Sequence, residues 1–237
     1  GVIGTNNVDH CARLCHASTV TALQKSIGSG AMGNSVHEFE NCDCIIAIGS
    51  NPVDTHPVSA TYIKQGAKNG AKIIVIDPRR TGLVKYAEMW LKQKPGTDVA
   101  LINGMLRVII EEKLYDESFI NQRVEDGMTA FEELKKGVDP YTLKKTEAIT
   151  GVPAPDILKA ARIYGKAENA SVITGMGMSQ STHGTANVLA LINMAVITGN
   201  FGRESTGINP LRGQNNVQGA SDMGGICTVF PGYQPVT

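Results

Sequence analysis

The residues best equipped for chemistry in this sequence are its thiols, and the five are not equivalent. Cys11-x3-Cys15 and Cys42-x-Cys44 invite a zinc or iron–sulfur reading, but zinc ribbons and ferredoxin-type clusters favour C-x2-C pairs. Cys42 and Cys44 open an apolar run at period two, where cysteine behaves as a small hydrophobe. Cys11 and Cys227 read as structural too. Cys15 differs, because His16 adjoins it and a helix from Ser18 to Ile27 is predicted just after it. A helix N-terminus and a neighbouring imidazole both favour thiolate, the form that ligates a soft metal. The plainer alternative is a buried structural cysteine beside a surface histidine.

Four Gly- or Asp-bearing loops are the next candidates. Gly49-Ser-Asn-Pro ends an apolar run just before a helix, so backbone amides and the helix N-terminus can receive a phosphate. Gly175-Met-Gly repeats that arrangement in the second half. Asp77-Pro-Arg-Arg ends the next apolar run, where an acid can accept hydrogen bonds from ribose hydroxyls. Asp98, in Pro95-Gly-Thr-Asp, offers two acceptors side by side, which suits the adjacent N–H groups of guanine. None of the four matches G-x-G-x-x-G or a Walker sequence. Gly49–Pro52 could be a tight turn only, and Asp77 could merely cap its loop or pair with Arg79 or Arg80. Four such loops in two halves of the chain suggest two nucleotide-bearing ligands. A fifth polar stretch, Arg212-Gly-Gln-Asn-Asn-Val-Gln-Gly, is dense in amide donors and acceptors and suits a loop wrapped on a polar ligand.

The elements needed to position these loops alternate between strand and helix. Strands are predicted at Cys44–Gly49, Ala71–Asp77, Ala87–Gln93 and Ser171–Gly175. Helices are predicted over Pro57–Lys68, Asp98–Glu111, Ser118–Arg123, Thr129–Lys136, Pro155–Lys166 and Thr185–Thr198. Short apolar runs bounded by helices imply an α/β fold with a doubly wound, mostly parallel sheet and helices on both faces. In such folds ligands lie beyond the carboxyl ends of the strands. From Gly199 onward the Gly, Asn and Pro content predicts loop.

Composition narrows the class. The 237 residues are 42% hydrophobic and 19% charged, with no formal net charge. A balanced charge argues against a nucleic-acid partner or a membrane surface, both of which call for a cationic field. No apolar stretch is long enough to span a bilayer. An odd number of cysteines without scaffold spacing points to a reducing, cytoplasmic setting.

Together, Cys11-Ala-Arg-Leu-Cys15-His16-Ala-Ser, Gly49-Ser-Asn-Pro, Asp77-Pro-Arg-Arg and Arg212-Gly-Gln-Asn-Asn-Val-Gln-Gly resemble the catalytic subunit of molybdenum- or tungsten-dependent formate dehydrogenases. These are bis-molybdopterin guanine dinucleotide oxidoreductases, and the resemblance runs over essentially the whole chain. It implies Cys15 as metal ligand, His16 as proton acceptor beside the metal, and Arg212 as the partner of the formate carboxylate. It further implies that Gly49, Asn51, Asp77, Arg79, Gly96 and Asp98 hold one guanine nucleotide arm. Gly175, Gly177, Gln180, Gly199 and Asn200 would hold parts of the second pterin cofactor, and Gln214 and Asn215 would lie by the pterin or the metal. The implied reaction takes formate to carbon dioxide, with electrons passing to electron-transfer subunits or iron–sulfur modules.

The family's four-cysteine [4Fe–4S] module and its C-terminal domain have no counterpart here, so the sequence reads as an internal excerpt. Residues 11–214 would form the cofactor-binding α/β domain, and residues 1–10 and 215–237 would belong to a neighbouring one. The excerpt is expected to fold and not to turn over formate; formate-dependent dye reduction by the purified chain would refute that. Two other readings stay open, a related molybdopterin enzyme with another substrate and a non-catalytic nucleotide-binding subunit that has kept these loops.

Overall fold

The computed structural model describes residues 3–5, 7–226 and 229–235; the reading of Cys227 as structural lies outside them. Its five central strands are β1 (Cys44–Ile48), β2 (Lys72–Ile76), β3 (Met89–Leu91), β4 (Ala170–Thr174) and β5 (Gly207–Pro210). They form one all-parallel sheet in the order β3-β2-β1-β4-β5. The chain winds outward from β1 to β3, returns to β4 on the other side of β1, and ends the sheet at β5. This is a doubly wound α/β fold, and its topological switch point lies between β1 and β4.

Twelve helices are described. Before the sheet come α1 (Ala12–Cys15) and α2 (Ala17–Ile27); after β1 come α3 (Pro52–Thr55) and α4 (Pro57–Lys68). Between β3 and β4 lie α5 (Asp98–Glu111), α6 (Glu117–Arg123), α7 (Met128–Val138), α8 (Leu143–Thr150) and α9 (Ala154–Gly165). After β4 come α10 (Met176–Ser179) and α11 (Gly184–Ile197), and α12 (Val217–Asp222) follows β5. A short hairpin of β6 (Val229–Phe230) and β7 (Gln234–Pro235) ends the described chain. No described helix is long and apolar enough to cross a membrane.

Alternation along the strands divides the core between the two faces of the sheet. Ile46, Ile48, Ile74, Ile76 and Val172 pack with the apolar sides of α2, α5, α9 and α11. Ile45, Ala47, Ile73, Val75 and Ile173 pack with Phe39, Ile63 of α4 and Leu83. Cys42 and Cys44 are buried at the start of β1, as the period-two spacing predicts. Burial pushes the Cys42 thiol up to about 11, and Cys44 upward as well, so both stay protonated as small apolar groups.

Several elements escape the sequence pattern, the larger ones being β5, α8 and α12; β5, α12 and the β6–β7 hairpin overturn the expectation of loop from Gly199 onward. β5 carries only one aliphatic residue, Ile208, in Gly-Ile-Asn-Pro. It needs a ladder on one side only, so an edge position tolerates Pro210, and buried Asn209 anchors it through bonds to Ser171 and Thr206. Helix α8 has a weak apolar stripe and is instead defined by its ends. Thr142 caps its first turn by accepting from the Lys145 amide, and Gly151 terminates it with φ of +75°.

Candidate active site

At the switch point the chain leaves β1 and β4 through two glycine loops pressed backbone to backbone. The Gly177 amide donates to the Gly49 carbonyl at 3.0 Å. A Cβ on Gly177 would lie 2.6 Å from the Gly49 Cα, and one on Gly49 would lie 2.9 Å from the Gly177 carbonyl carbon. Gly49 also holds φ of +56°. Only glycine admits that approach.

These loops form the back of a cleft of about 550 Å³. Nine of the thirteen cofactor residues implied by the sequence line it: Gly49, Asn51, Asp77, Arg79, Gly96, Asp98, Gly175, Gly177 and Gln214. Asp77 is buried at the end of β2; its Oδ1 accepts from the Arg79 amide at 2.8 Å, while the Arg79 side chain stays exposed 4.0 Å away. The plainer capping role of Asp77 is therefore present alongside its place in the cleft. Asp98 opens α5, buried, and accepts from Gln93 Nε2 at 2.9 Å. Burial raises the Asp98 pKa, partly countered by the Gln93 bond. Asn51 donates to Asp54 at 2.6 Å, and its Oδ1 is buried without a described partner.

The remaining expectations divide. Because β1 and β4 are neighbours in the sheet, Gly175 and Gly177 open on the same cleft as Gly49. The glycine loops of the two halves thus converge on one cleft. Gly199 and Asn200 do not reach it. Asn200 is fully buried at the start of β4, at the opposite end of the sheet, where its Oδ1 accepts from the Ala170 amide at 2.8 Å and its Nδ2 points to the Ala167 carbonyl. A side chain committed to the β4–β5 end of the core has no donor or acceptor to spare for a distant ligand. Gln180 and Asn215 are exposed and lie outside the cleft lining.

Cys15, His16 and Arg212 form a second group. Cys15 ends α1 and is 4% exposed, and its carbonyl accepts from Ser179 Oγ at 2.7 Å. His16, equally buried, caps α2, and neither ring nitrogen has a partner among the described residues. Burial first, then the charges of Arg212 and His10, push its pKa down to about 4. The imidazole is therefore neutral near pH 7. The cation close to Cys15 is Arg212, whose own pKa is lowered by burial and raised again by Cys15. Arg212 Nη2 donates to the Gly30 carbonyl, whereas Nη1 is buried with no described partner.

Unpaired buried polar atoms cost about 1–3 kcal/mol each, and they concentrate here at His16, Arg212, Asn51 and Gln93. The described residues hold no group of three or more His, Cys, Asp or Glu side chains that could cage a metal unaided. A metal at Cys15 would need most of its ligands from elsewhere, which is what a pterin dithiolene supplies. The residues present fit such a group.

The family model for molybdopterin oxidoreductases matches residues 1–234. The chain belongs to the molybdopterin oxidoreductase family. It is 54% identical over 232 residues to a formate dehydrogenase alpha subunit of Methanocaldococcus jannaschii, covering 98% of this chain and 34% of that protein. It is 47% identical over 235 residues to formate dehydrogenase H of Escherichia coli, covering 99% of this chain and 32% of that protein. The chain thus spans about a third of the length of these relatives. Among solved structures it resembles the acetylene hydratase of Pelobacter acetylenicus, with a TM-score of 0.73 and 32% identity, over 84% of this chain and 26% of that one.

Within this molybdopterin oxidoreductase, two residues escaped the sequence reading. His56, in the cleft lining, is bonded through Nε2 to the Arg212 carbonyl. Gln93 lines the cleft next to Asp98. Its signal was available: the alternation through Met89 and Leu91 places Gln93 on their buried face, where a polar residue is unexpected.

Proposed function

We propose that this chain is the cofactor-binding centre of a formate dehydrogenase acting in the cytoplasm. The observation that carries the reading is the convergence of Cys15, neutral His16 and Arg212, with an unpaired guanidinium nitrogen beside two unpaired imidazole nitrogens. Cys15 would ligate a molybdenum or tungsten ion. The cleft residues Asn51, Asp77, Arg79 and Asp98 would hold a guanine dinucleotide arm, with Gly49, Gly175 and Gly177 shaping the floor and Gln214 near the pterin. When bound, the metal–pterin group supplies the two-electron redox centre.

The chain's own residues do the rest. Arg212 binds the carboxylate of formate, because a planar guanidinium matches two oxygens and keeps its charge at any working pH. Its bond to the Gly30 carbonyl fixes its direction. His16 would receive the proton at a ring nitrogen left free because burial and the nearby cation keep it neutral; an anion bound at Arg212 would offset that cation and raise its basicity. Electrons would leave to iron–sulfur modules, including a [4Fe–4S] centre, or to partner subunits. The α/β unit would run over residues 11–214. The flanks 1–10 and 215–237 would share a neighbouring domain, a division supported by the contact of Ser221 Oγ with His10 Nε2 at 3.3 Å.

Likeness to an acetylene hydratase shows that the fold does not by itself choose the substrate; Arg212 is the feature that favours a small carboxylate. The test is metal analysis and formate-dependent dye reduction on the full-length protein. Molybdenum or tungsten with formate oxidation supports the reading. Metal without formate oxidation would favour another substrate, and no metal would reduce the chain to a nucleotide-binding relic.

A further inference from the structure

Gln93 follows β3 and is 3% exposed, yet it lines the cleft. Its Nε2 donates to Asp98 Oδ1 at 2.9 Å, and its Oε1 is buried with no partner among the described residues. The amide orientation follows from chemistry: an ionised carboxylate only accepts, so the NH2 end must face Asp98 and the oxygen is left over. A carboxylate with one oxygen engaged by the Gln93 amide and an amide oxygen with no donor therefore belong to two residues joined by a hydrogen bond on the same cleft wall. Gly96 beside them holds φ of +79°, and a Cβ there would meet nothing within 4 Å, so a flat ligand has room to approach.

The purines differ at the edge that such a pair would read. Guanine presents N1–H and a 2-amino group, two adjacent donors. Hypoxanthine keeps N1–H and lacks the amine. Adenine has an acceptor at N1 and no 2-amino group.

We propose that Gln93 is a specificity-determining residue, its Oε1 accepting from the 2-amino group of a guanine whose N1–H is bound by Asp98. This rests on the reading of the cleft as a nucleotide site and names a residue and an atom for its base selectivity. A bond made there would remove the cost of the unpaired oxygen, which neither the core nor solvent meets.

The experiment is NMR titration of the chain with GMP, IMP and AMP, followed by the same titration of Gln93→Met, a near-isosteric apolar replacement. GMP is expected to bind about tenfold more tightly than IMP, and AMP more weakly than both; Gln93→Met, which also removes the Nε2 bond to Asp98, is expected to shift both ligands and to bring the GMP-to-IMP ratio to about one. Equal affinities for GMP and IMP on the unaltered chain would overturn the proposal without any variant, so a Gln93→Met chain that fails to fold would not shelter it. A GMP-to-IMP ratio unchanged by Gln93→Met would overturn it too, while leaving the nucleotide cleft standing. No GMP binding at millimolar concentration would overturn both.

Discussion

The hydroxyl of Ser179 donates a 2.7 Å hydrogen bond to the carbonyl of Cys15, tying the loop beyond β4 to the thiol-bearing turn 164 residues earlier. Ser18, in the first turn of α2, donates in turn to the Ser179 carbonyl. The backbone at Cys15 and just after it is thus held by the segment that also forms the floor of the cleft. A metal ligand at Cys15 and a cofactor cradle in the cleft, as proposed above, would need this kind of mutual fixation.

Ser179→Ala should therefore separate position from stability. Losing one buried bond costs about 1 kcal/mol, which is a fall in Tm of roughly 2–4 °C for a chain of this size. In the full-length enzyme the loss of formate oxidation is expected to be larger than that implies, about tenfold or more in kcat, because Cys15 would be held less firmly. Thermal melts and steady-state kinetics on one preparation check both. A kcat unchanged beside a lowered Tm would make Ser179 a core residue and nothing more.

Gly177→Ala tests the back-to-back loops. Its Cβ would lie 2.6 Å from the Gly49 Cα and 2.8 Å from the Gly49 carbonyl oxygen, both backbone atoms that cannot swing aside. The expected cost is about 1–3 kcal/mol, the range for forcing a methyl into a packed site. The loops after β1 and β4 would be pushed apart, so GMP affinity should fall together with Tm. Gly202→Ala is the control for inserting a methyl as such: a Cβ there meets nothing within 4 Å, and its φ of +73° confines the penalty to backbone strain.

Much of this architecture was legible because the strands are buried on both faces and therefore read as continuous apolar runs. Ile45–Ile48 and Ile73–Ile76 could hardly be anything else, and Gly49 and Asp77 mark their carboxyl ends. Legibility failed where hydrogen bonds replaced apolar area. β5 depends on Asn209, and α8 on Thr142 and Gly151, and neither leaves a hydrophobic period. It failed again for Asn200, whose type suits a ligand loop equally well. Only the strand order shows that it caps β4 at the far end of the sheet. The sequence also could not say that His16 is neutral, because that depends first on its burial and then on Arg212, brought near by β5.

Asp98 yields the pH prediction. Burial raises its pKa above the ordinary 3.8, so the folded state holds the proton more tightly than the unfolded state does. Its contribution to stability is complete below about pH 3.8 and is lost as pH rises through the folded value. At pH 7 the buried carboxylate is a net cost to the fold. Asp98→Asn, which can still accept from Gln93, should raise Tm at pH 7, and that gain should vanish near pH 3.5 to 4. The same variant should bind GMP more weakly, since one charged acceptor is gone. A Tm unchanged or lowered at pH 7 would mean that Asp98 is compensated by contacts inside the fold.

Arg212→Lys in the full-length protein is the sharpest test of the substrate. Arg212 uses Nη2 on the Gly30 carbonyl and keeps Nη1 buried and unpaired, so one planar group serves scaffold and ligand at once. A lysine ammonium is a point charge without that fork: it can turn to Gly30 or toward a carboxylate, and it cannot present two parallel N–H donors to formate. Net charge is kept, so a cofactor held by long-range electrostatics should stay bound, and metal content is expected to be unchanged. Loss of a charge-assisted pair is worth about 2 kcal/mol or more, so kcat/KM for formate should drop about 30-fold at least. If metal content and formate oxidation both survived the change, Arg212 would be a scaffold residue bonded to Gly30, and the carboxylate would have to be bound elsewhere.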